Sequence, residues 1–175
     1  MSRLLVQSLL LGVALSGCST IGSLPEERLG EATLRLANGV PIGSAQIVRR
    51  GDQVTLLAAI AGVEQGTRGF HLHTTGKCVG PDFTSAGGHL NPGARTHGSL
   101  SAGGKHLGDM PNIEIASNRS GTAQTDIPGP AAEVLANIFD ADGTAIVIHA
   151  QADDYRTDPT GNAGARIACG VLEAR

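Results

Sequence analysis

The chain of 175 residues is long enough for one domain of ordinary size and too short for two comfortable ones. Its formal net charge of −3 argues against nucleic acid as a partner. Glycine is abundant at 25 residues and aromatic residues make up only 2% of the chain, which favours short strands joined by many turns over a helical bundle.

The N-terminal segment 1–17 has the features of an export signal. It carries Arg3 and then an apolar run from Leu4 to Leu15 that is too short to remain in a bilayer. The run ends in Leu15-Ser16-Gly17-Cys18, which resembles the bacterial lipobox, where the peptidase cuts before a lipid-modified cysteine. We therefore predict a lipoprotein signal peptide; a cytosolic chain with an apolar start is the alternative.

Lipid on Cys18 would be the only attachment of the mature chain to a membrane. Residues 18–30 then form a polar tether, and residues 31–175 form the folded domain. Because Ser19 is not the aspartate that usually retains lipoproteins in the inner membrane, we expect the chain on the periplasmic side of a bacterial outer membrane.

The two remaining cysteines, Cys78 and Cys169, would then lie in a compartment where disulfides persist. We expect them to bond to each other. Two buried free thiols are the alternative, and they are typical of a cytosolic protein.

Strand patterns cover most of the predicted domain. Alternating apolar residues separated by turn signals predict about eight strands, over residues 32–36, 44–48, 54–61, 67–73, 113–116, 121–125, 144–149 and 166–172. A weak helical period over residues 131–139 predicts a single turn of helix. Residues 74–111 and 150–165 show no sustained period, and a compact domain rarely keeps such loops unless they are functional or pinned.

All six histidines fall in four short motifs: Gly69–His73, Gly87–Pro92, His97 followed by His106–Asp109, and Ile146–His149. On a strand, residues two apart share a face, so His71 and His73 present two imidazoles side by side while Leu72 faces the core. His149 alone is more often a structural residue than a ligand. Imidazole suits both copper and zinc, whereas a carboxylate beside histidines favours zinc, so the whole set predicts a bimetallic site.

At these residues the sequence resembles the copper/zinc superoxide dismutase family, in its bacterial exported branch, from about Ala32 to Leu172. The matching motifs are Gly69–His73, Ser85–Pro92, His106–Asp109 and Gly161–Gly170. The resemblance implies an all-β fold, an eight-stranded antiparallel Greek-key β-sandwich or flattened barrel with two long functional loops.

The resemblance also implies two metals that share one ligand, His89. Copper would be bound by His71, His73, His89 and His149, and zinc by His89, His97, His106 and Asp109. Asp153 matches a carboxylate that holds His71 and His97, although from its own neighbourhood it reads as a turn residue. Arg166 would dock the superoxide anion and His89 would also deliver a proton, so the implied activity is conversion of superoxide to dioxygen and hydrogen peroxide.

Three other functions compete with this interpretation. A periplasmic copper or zinc carrier without turnover would need neither Arg166 nor a shared His89. A copper-only relative is disfavoured because His97, His106 and Asp109 are all present, and a purely structural zinc protein would leave histidines unused. Both a monomer and a homodimer stay open.

The sequence also departs from the family in its charges. The family pattern often places a lysine just before the Thr-Gly-Asn-Ala-Gly run, where this chain has Pro159. Arg156 and Lys105 are the candidate substitutes. With so little positive charge near the channel, we expect the rate to fall less steeply with salt than in a strongly steered relative.

Overall fold

Strands are the main regular secondary structure of the computed structural model, which describes residues 25–175. The predicted signal peptide, Cys18 and most of the predicted tether therefore lie outside the described residues. Ten strands, one α-helix and one short 3-10 helix follow in chain order: β1 (Glu26–Leu36), β2 (Pro41–Arg50), β3 (Gln53–Ala61), β4 (Gly66–Arg68), β5 (Phe70–His73), the 3-10 helix (Thr84–Ala86), β6 (Ile113–Ile115), β7 (Ser120–Ile127), α1 (Ala131–Ile138), β8 (Ala145–His149), β9 (Arg166–Val171) and β10 (Glu173–Ala174).

An eight-stranded antiparallel sheet dominates the fold, in the order β5-β8-β9-β1-β2-β3-β7 with β10 paired to β1. β4 and β6 pair separately. The first three strands are joined as hairpins, but β3 then pairs with β7 and β1 pairs with β9, so the remaining connections cross between distant parts of the sheet. The predicted all-β antiparallel fold with two long loops is confirmed.

Strand boundaries differ from the prediction in two places. Residues 67–73 form two strands rather than one, because β4 pairs with β6 whereas β5 pairs with β8. The first strand begins at Glu26, so residues 26–30 of the predicted tether belong to the sheet. Cross-strand pairs of Glu26 with Arg50 and Glu27 with Arg49 join this segment to β2, and such charged residues conceal the apolar alternation that identifies a strand.

Aliphatic side chains fill the interior, as the scarcity of aromatic residues predicts. In β3, every second residue from Val54 to Ile60 is buried, and Leu56 is fully inaccessible. Leu72 and Phe70 of β5 pack into the same cluster as Ile146 and Ile148 of β8. One face of β5 and β8 therefore packs into the core, and the histidines of both strands lie on the opposite face.

Helix α1 closes one end of the core. It has eight residues, just over two turns, and is longer than the single turn predicted. Ala131, Val134 and Ile138 are buried along one face, and the backbone N–H of Ala131 donates to the Asp52 carboxylate of the β2–β3 turn at 2.9 Å. From residue 25 onward, the structure has no helix long and apolar enough to cross a membrane.

A disulfide joins Cys78 to Cys169, which confirms the predicted pairing. It connects the first long loop to the centre of β9 across a sequence separation of 91 residues. Both cysteines pack in a second small core with Phe83, Ala86 and Val147. Since a cross-link that closes so long a loop removes much entropy from the unfolded chain, it should contribute substantially to stability.

We expect the double variant Cys78→Ala with Cys169→Ala to lower the free energy of unfolding by about 2–5 kcal/mol, because the unfolded chain regains the freedom of the open loop. Urea unfolding under oxidising conditions measures this loss. Val79→Ala, an exposed change beside Cys78, is the matched control and should behave as the native chain. A loss below about 1 kcal/mol in the double variant would contradict the expectation.

Candidate metal centre

Strands β5 and β8 carry three of the predicted ligand side chains. Within β5, His71 and His73 are 0% and 1% exposed, and both face away from the core residue Leu72. His149 ends β8 opposite Arg166 of β9 and is also buried. The alternation of the two adjacent strands therefore brings three imidazoles to one face of the sheet.

The first long loop reaches this face by short strand-like contacts with β5. His89 forms an isolated bridge with His73, and Asp109 forms one with His71. Between them, the Leu90 N–H donates to the Leu72 carbonyl at 2.8 Å, and the Leu72 N–H donates to the Gly108 carbonyl at 3.0 Å. A Cβ at Gly108 would lie 2.3 Å from the Leu72 oxygen, so only glycine permits this approach.

Two clusters of ligand atoms result, and they have His89 in common. In each cluster, the ligand atoms all lie within 4.8 Å of one another. The first contains His71, His73, His89 and His149; the second contains His89, His97, His106 and Asp109. All seven side chains are buried. The structure thus assembles every side chain that the sequence nominated as a metal ligand.

The second cluster has the dimensions of a tetrahedral metal site. Oδ1 of Asp109 lies 2.8 Å from His89 Nδ1, 3.1 Å from His97 Nδ1 and 3.1 Å from His106 Nδ1. With metal–ligand distances of about 2.0 Å, neighbouring corners of a tetrahedron lie about 3.3 Å apart, which is close to these separations. The other carboxylate oxygen accepts from the N–H groups of Gly98 and His106, which holds Oδ1 toward the three imidazoles.

The first cluster consists of imidazoles alone, and each one presents an unpaired nitrogen. Among the described residues, the buried ring nitrogens without a hydrogen-bond partner are Nε2 of His73, His89 and His149, and Nδ1 of His71 and His97. His73 and His149 use their other nitrogen on the carbonyls of Gly87 and Gly164, at 3.0 and 3.2 Å. Four of the five unpaired nitrogens belong to the first cluster, and the fifth belongs to the second.

Protonation would not satisfy the unpaired nitrogens of His73, His89 and His149 at neutral pH. Burial lowers the pKa of His73 to about 2, that of His149 to about 3 and that of His89 to about 4. Neutral imidazole is the form that binds metal. An unsatisfied buried polar group costs about 1–3 kcal/mol, and five such groups would cost as much as a domain's entire stability. The residues therefore fit two cations, with an all-nitrogen set suited to copper and a carboxylate-containing set suited to zinc.

Asp153, in the second long loop, contacts one histidine of each cluster. Its carboxylate lies 2.7 Å from His71 Nε2 and 3.0 Å from His97 Nε2, so one side chain orients a histidine of each cluster. Burial opposes ionisation of Asp153, but the contacts with His71 and His97 keep its pKa below the usual value. The carboxylate therefore stays charged and fixes Nδ1 of both rings toward the metal positions.

Two residues that the sequence did not nominate hold Asp153 in place. Asn112 accepts from the Asp153 N–H at 2.8 Å and donates to the Asp153 carbonyl at 2.9 Å. The Tyr155 N–H donates to the Asp153 carboxylate at 2.6 Å, and the Tyr155 hydroxyl accepts from the Asn112 N–H at 2.8 Å. Asn112 and Tyr155 flank predicted site residues, but no pattern in the sequence shows that they meet across the two loops.

Arg166 is held by the loop segment that the disulfide anchors. Its guanidinium donates to the Phe83 carbonyl at 2.7 Å and to the Gly87 carbonyl at 2.6 Å. Gly87 is also the acceptor for His73, so one carbonyl positions both the guanidinium and an imidazole of the first cluster. Burial lowers the pKa of Arg166, and Asp82 opposes this. Since a guanidinium titrates far above neutrality, Arg166 remains a cation.

A cleft of about 340 Å³ opens over the first cluster. Its wall includes three histidines of that cluster, His106 of the second cluster, and Arg95, Asp158 and Arg166. Neither Arg156 nor Lys105, the cations nominated from the sequence as charge substitutes, lines it. The Lys105 ammonium instead donates to the Asp109 carbonyl at 2.7 Å. Arg95, which sequence reasoning missed, lies two residues before His97 in the same metal-binding segment.

Comparison with known proteins agrees with this geometry. A family model described as copper/zinc superoxide dismutase (SODC) matches residues 42–172. Superoxide dismutase (Cu-Zn) 1 of Aquifex aeolicus (strain VF5) is 37% identical over 156 residues, which cover 86% of this chain and 91% of that protein. Superoxide dismutase-like protein YojM of Bacillus subtilis (strain 168) is 35% identical over 98% of this chain and 96% of its own length. The crystal structure of a SOD-like protein from Bacillus subtilis aligns with a TM-score of 0.76 and 37% identity, over 82% of this chain and 97% of that chain.

We expect Asp153→Asn to weaken zinc binding by roughly 10–100-fold, because an amide cannot accept from both His71 and His97 and the rings lose their fixed orientation. Competition with a chelator of known affinity measures the zinc dissociation constant. Asp126→Asn is the matched control, since Asp126 is an exposed carboxylate on β7 that accepts only from Thr55 among its described neighbours. Zinc affinity within twofold of the native value in Asp153→Asn would show that this carboxylate does not orient the ligands.

Proposed function

The chain belongs to the copper/zinc superoxide dismutase family, and we propose that it converts superoxide to dioxygen and hydrogen peroxide in the bacterial cell envelope. One observation carries the proposal: the ring of His89 points one nitrogen into each cluster. Its Nδ1 lies 2.8 Å from Asp109 in the second cluster, while its Nε2 is among the unpaired nitrogens of the first.

The proposed ligands follow from the donor atoms of the two clusters. Copper would be held by His71, His73, His89 and His149, a set of nitrogen donors. Zinc would be held by His89, His97, His106 and the carboxylate of Asp109. When bound, copper supplies the one-electron redox chemistry that zinc cannot, and zinc supplies structure and tuning.

Two residues handle the substrate and its protons. In the overall reaction, two superoxide anions and two protons give one dioxygen and one hydrogen peroxide. Arg166 docks the anion. Its guanidinium donates one hydrogen bond to the Phe83 carbonyl and one to the Gly87 carbonyl, and its remaining N–H groups are available to an anion at the cleft. His89 would donate one of the two protons from Nε2 whenever that nitrogen is not coordinated, and solvent in the same cleft would supply the other.

A carrier or buffer for copper and zinc would use the same ligands without turnover, and one relative is named only as superoxide dismutase-like. Two features of the site favour an enzyme. A carrier gains nothing from an imidazole shared between two metals, and it does not need a cation held at the cleft by two carbonyls. The experiment below separates the two functions.

We further propose that the mature protein is a lipoprotein on the periplasmic side of the outer membrane. The support comes from the lipobox-like run Leu15-Ser16-Gly17-Cys18 and from Ser19 after it. The Cys78–Cys169 disulfide is in keeping with an oxidising compartment. Several acyl chains on one cysteine would provide lasting attachment, since each buried methylene contributes about 0.8 kcal/mol.

We expect the native protein to bind one copper and one zinc and to consume superoxide. His149→Ala should retain zinc, lose most of its copper affinity and lose activity by at least about 100-fold, because copper loses one of its ligands at the cleft. Metal analysis of the purified protein, together with a superoxide-consumption assay, measures both properties. Asp109→Ala is the reciprocal variant and should lower zinc affinity more than copper affinity. A native protein that binds both metals but shows no turnover would favour the carrier.

We expect the full-length chain, expressed in a bacterium, to incorporate a labelled fatty acid and to sediment with outer membranes. Cys18→Ser removes the acceptor thiol and should abolish both results. Ser19→Asp is the matched variant, because it keeps Cys18 and should shift the labelled protein to the inner membrane. Label that persists in Cys18→Ser would place the lipid elsewhere, and an unlabelled native protein would rule out the anchor.

A further inference from the structure

The cleft over the first cluster has an uneven arrangement of charge. Its charged wall residues are Arg95, Arg166 and Asp158. Arg166 is half-buried and committed to two carbonyls, whereas Arg95 is exposed. Asp158 accepts from the His97 N–H at 2.6 Å and brings a negative charge to the same wall. Arg95 is therefore the exposed cation that an anion meets on its way to Arg166.

The backbone of Arg95 is fixed firmly to the second cluster. Its N–H donates to the Asn91 side chain at 2.9 Å, and its carbonyl accepts from Asn91 at 2.9 Å and from His106 Nε2 at 3.1 Å. The side chain makes no hydrogen bond or ion pair within residues 25–175. It extends past Gly93 and Gly104, where an added Cβ would contact its Cγ and its Cδ. Arg95 therefore borders both the cleft over the first cluster and the neighbouring cleft beside α1, and no group within residues 25–175 neutralises its charge.

The other nearby cations are less suitable for this role. Lys105 donates its ammonium to the Asp109 carbonyl. Lys105 and Arg95 both line a second cleft beside α1, but only Arg95 also lines the cleft over the first cluster. Arg156 does not line the cleft over the first cluster. The sequence offers both residues as candidate substitutes for a missing lysine, but among these three cations only Arg95 lines the cleft.

We propose, on the basis of the dismutase function above, that Arg95 steers superoxide into the cleft while Arg166 docks it. Steering and docking require different surroundings. A steering charge must be exposed so that its field reaches incoming anions, whereas a docking charge must be held in a fixed orientation. The steering charge comes from the segment between His89 and His97. The other long loop does not supply it at the usual position, because the residue before the Thr-Gly-Asn-Ala-Gly run is Pro159, which carries no charge.

The test is the second-order rate constant for superoxide, measured from low to high ionic strength on the copper- and zinc-loaded protein. One unit charge about 8–10 Å from an anion changes the local concentration of that anion about twofold in water-like surroundings. We therefore expect Arg95→Gln to lower the rate constant about twofold at low salt and Arg95→Glu, which reverses the charge, to lower it about fourfold. These differences should close as screening increases. Because Asp158 opposes Arg95, the native rate itself should fall only gently with salt.

Two variants and one binding measurement separate steering from a structural effect. Arg95→Lys keeps the charge and should stay near the native rate, and Arg156→Gln removes an exposed charge away from the cleft and should be unchanged. Azide, a small monoanion, should bind more weakly to copper-loaded Arg95→Gln than to the native protein, as followed by copper absorption. Zinc and copper contents verify that each variant is assembled.

Several results would contradict the proposed role of Arg95, each for a different reason. Equal rates for Arg95→Gln and Arg156→Gln at low salt would overturn the role, as would a loss in Arg95→Gln that persists at high salt. A loss in Arg95→Lys as large as in Arg95→Gln would show that the charge is not what matters. If the native protein shows no turnover, the dismutase function fails, and the azide titration still decides whether Arg95 attracts anions to the cleft.

Discussion

The whole site depends on burying imidazole nitrogens that the protein itself leaves unpaired. His89 is the centre of this arrangement, because one of its nitrogens faces Asp109 and the other faces the all-histidine cluster. Burial lowers the pKa of His73, His89 and His149 and so keeps these three rings neutral, and a buried ring nitrogen without a partner costs free energy. Two bound cations would offset this cost, so metal binding and the stability of the loops would be thermodynamically linked.

The two long loops are ordered by contacts that replace a regular sheet. Bridges to His71 and His73 place one loop against β5, and the disulfide ties its other part to β9. Asp153 connects the second loop to both clusters through a single carboxylate. Each attachment also orients a group at the site, so rigidity and ligand geometry have the same physical origin. Segments without secondary structure can therefore hold side chains as precisely as strands do.

The charged residues of the site have different roles according to how deeply each one is buried. The buried carboxylates of Asp109 and Asp153 face histidines, whereas Arg166 lines the cleft with its orientation set by two carbonyls. Farther out, exposed Arg95 and Asp158 set the field that an approaching anion meets. Relatives in the same family include proteins named only as superoxide dismutase-like. Family membership and activity are therefore separate questions, and the residues at the cleft decide the second.

The sequence alone determined the class of fold and the ligand residues. Alternation identifies strands, and a His-Leu-His run on a strand must present two imidazoles on one face, because both signals are local. Resemblance to a family added the assignment of ligands to two metals. Charged residues at Glu26 and Glu27 obscured the start of β1, since their partners lie on the next strand. Only the tertiary structure revealed that Asn112 meets Tyr155 and that Arg95 rather than Lys105 lines the cleft. These contacts join loop segments that show no repeating apolar pattern in the sequence. The path of each loop is set by its packing against the rest of the fold, which a local pattern does not predict.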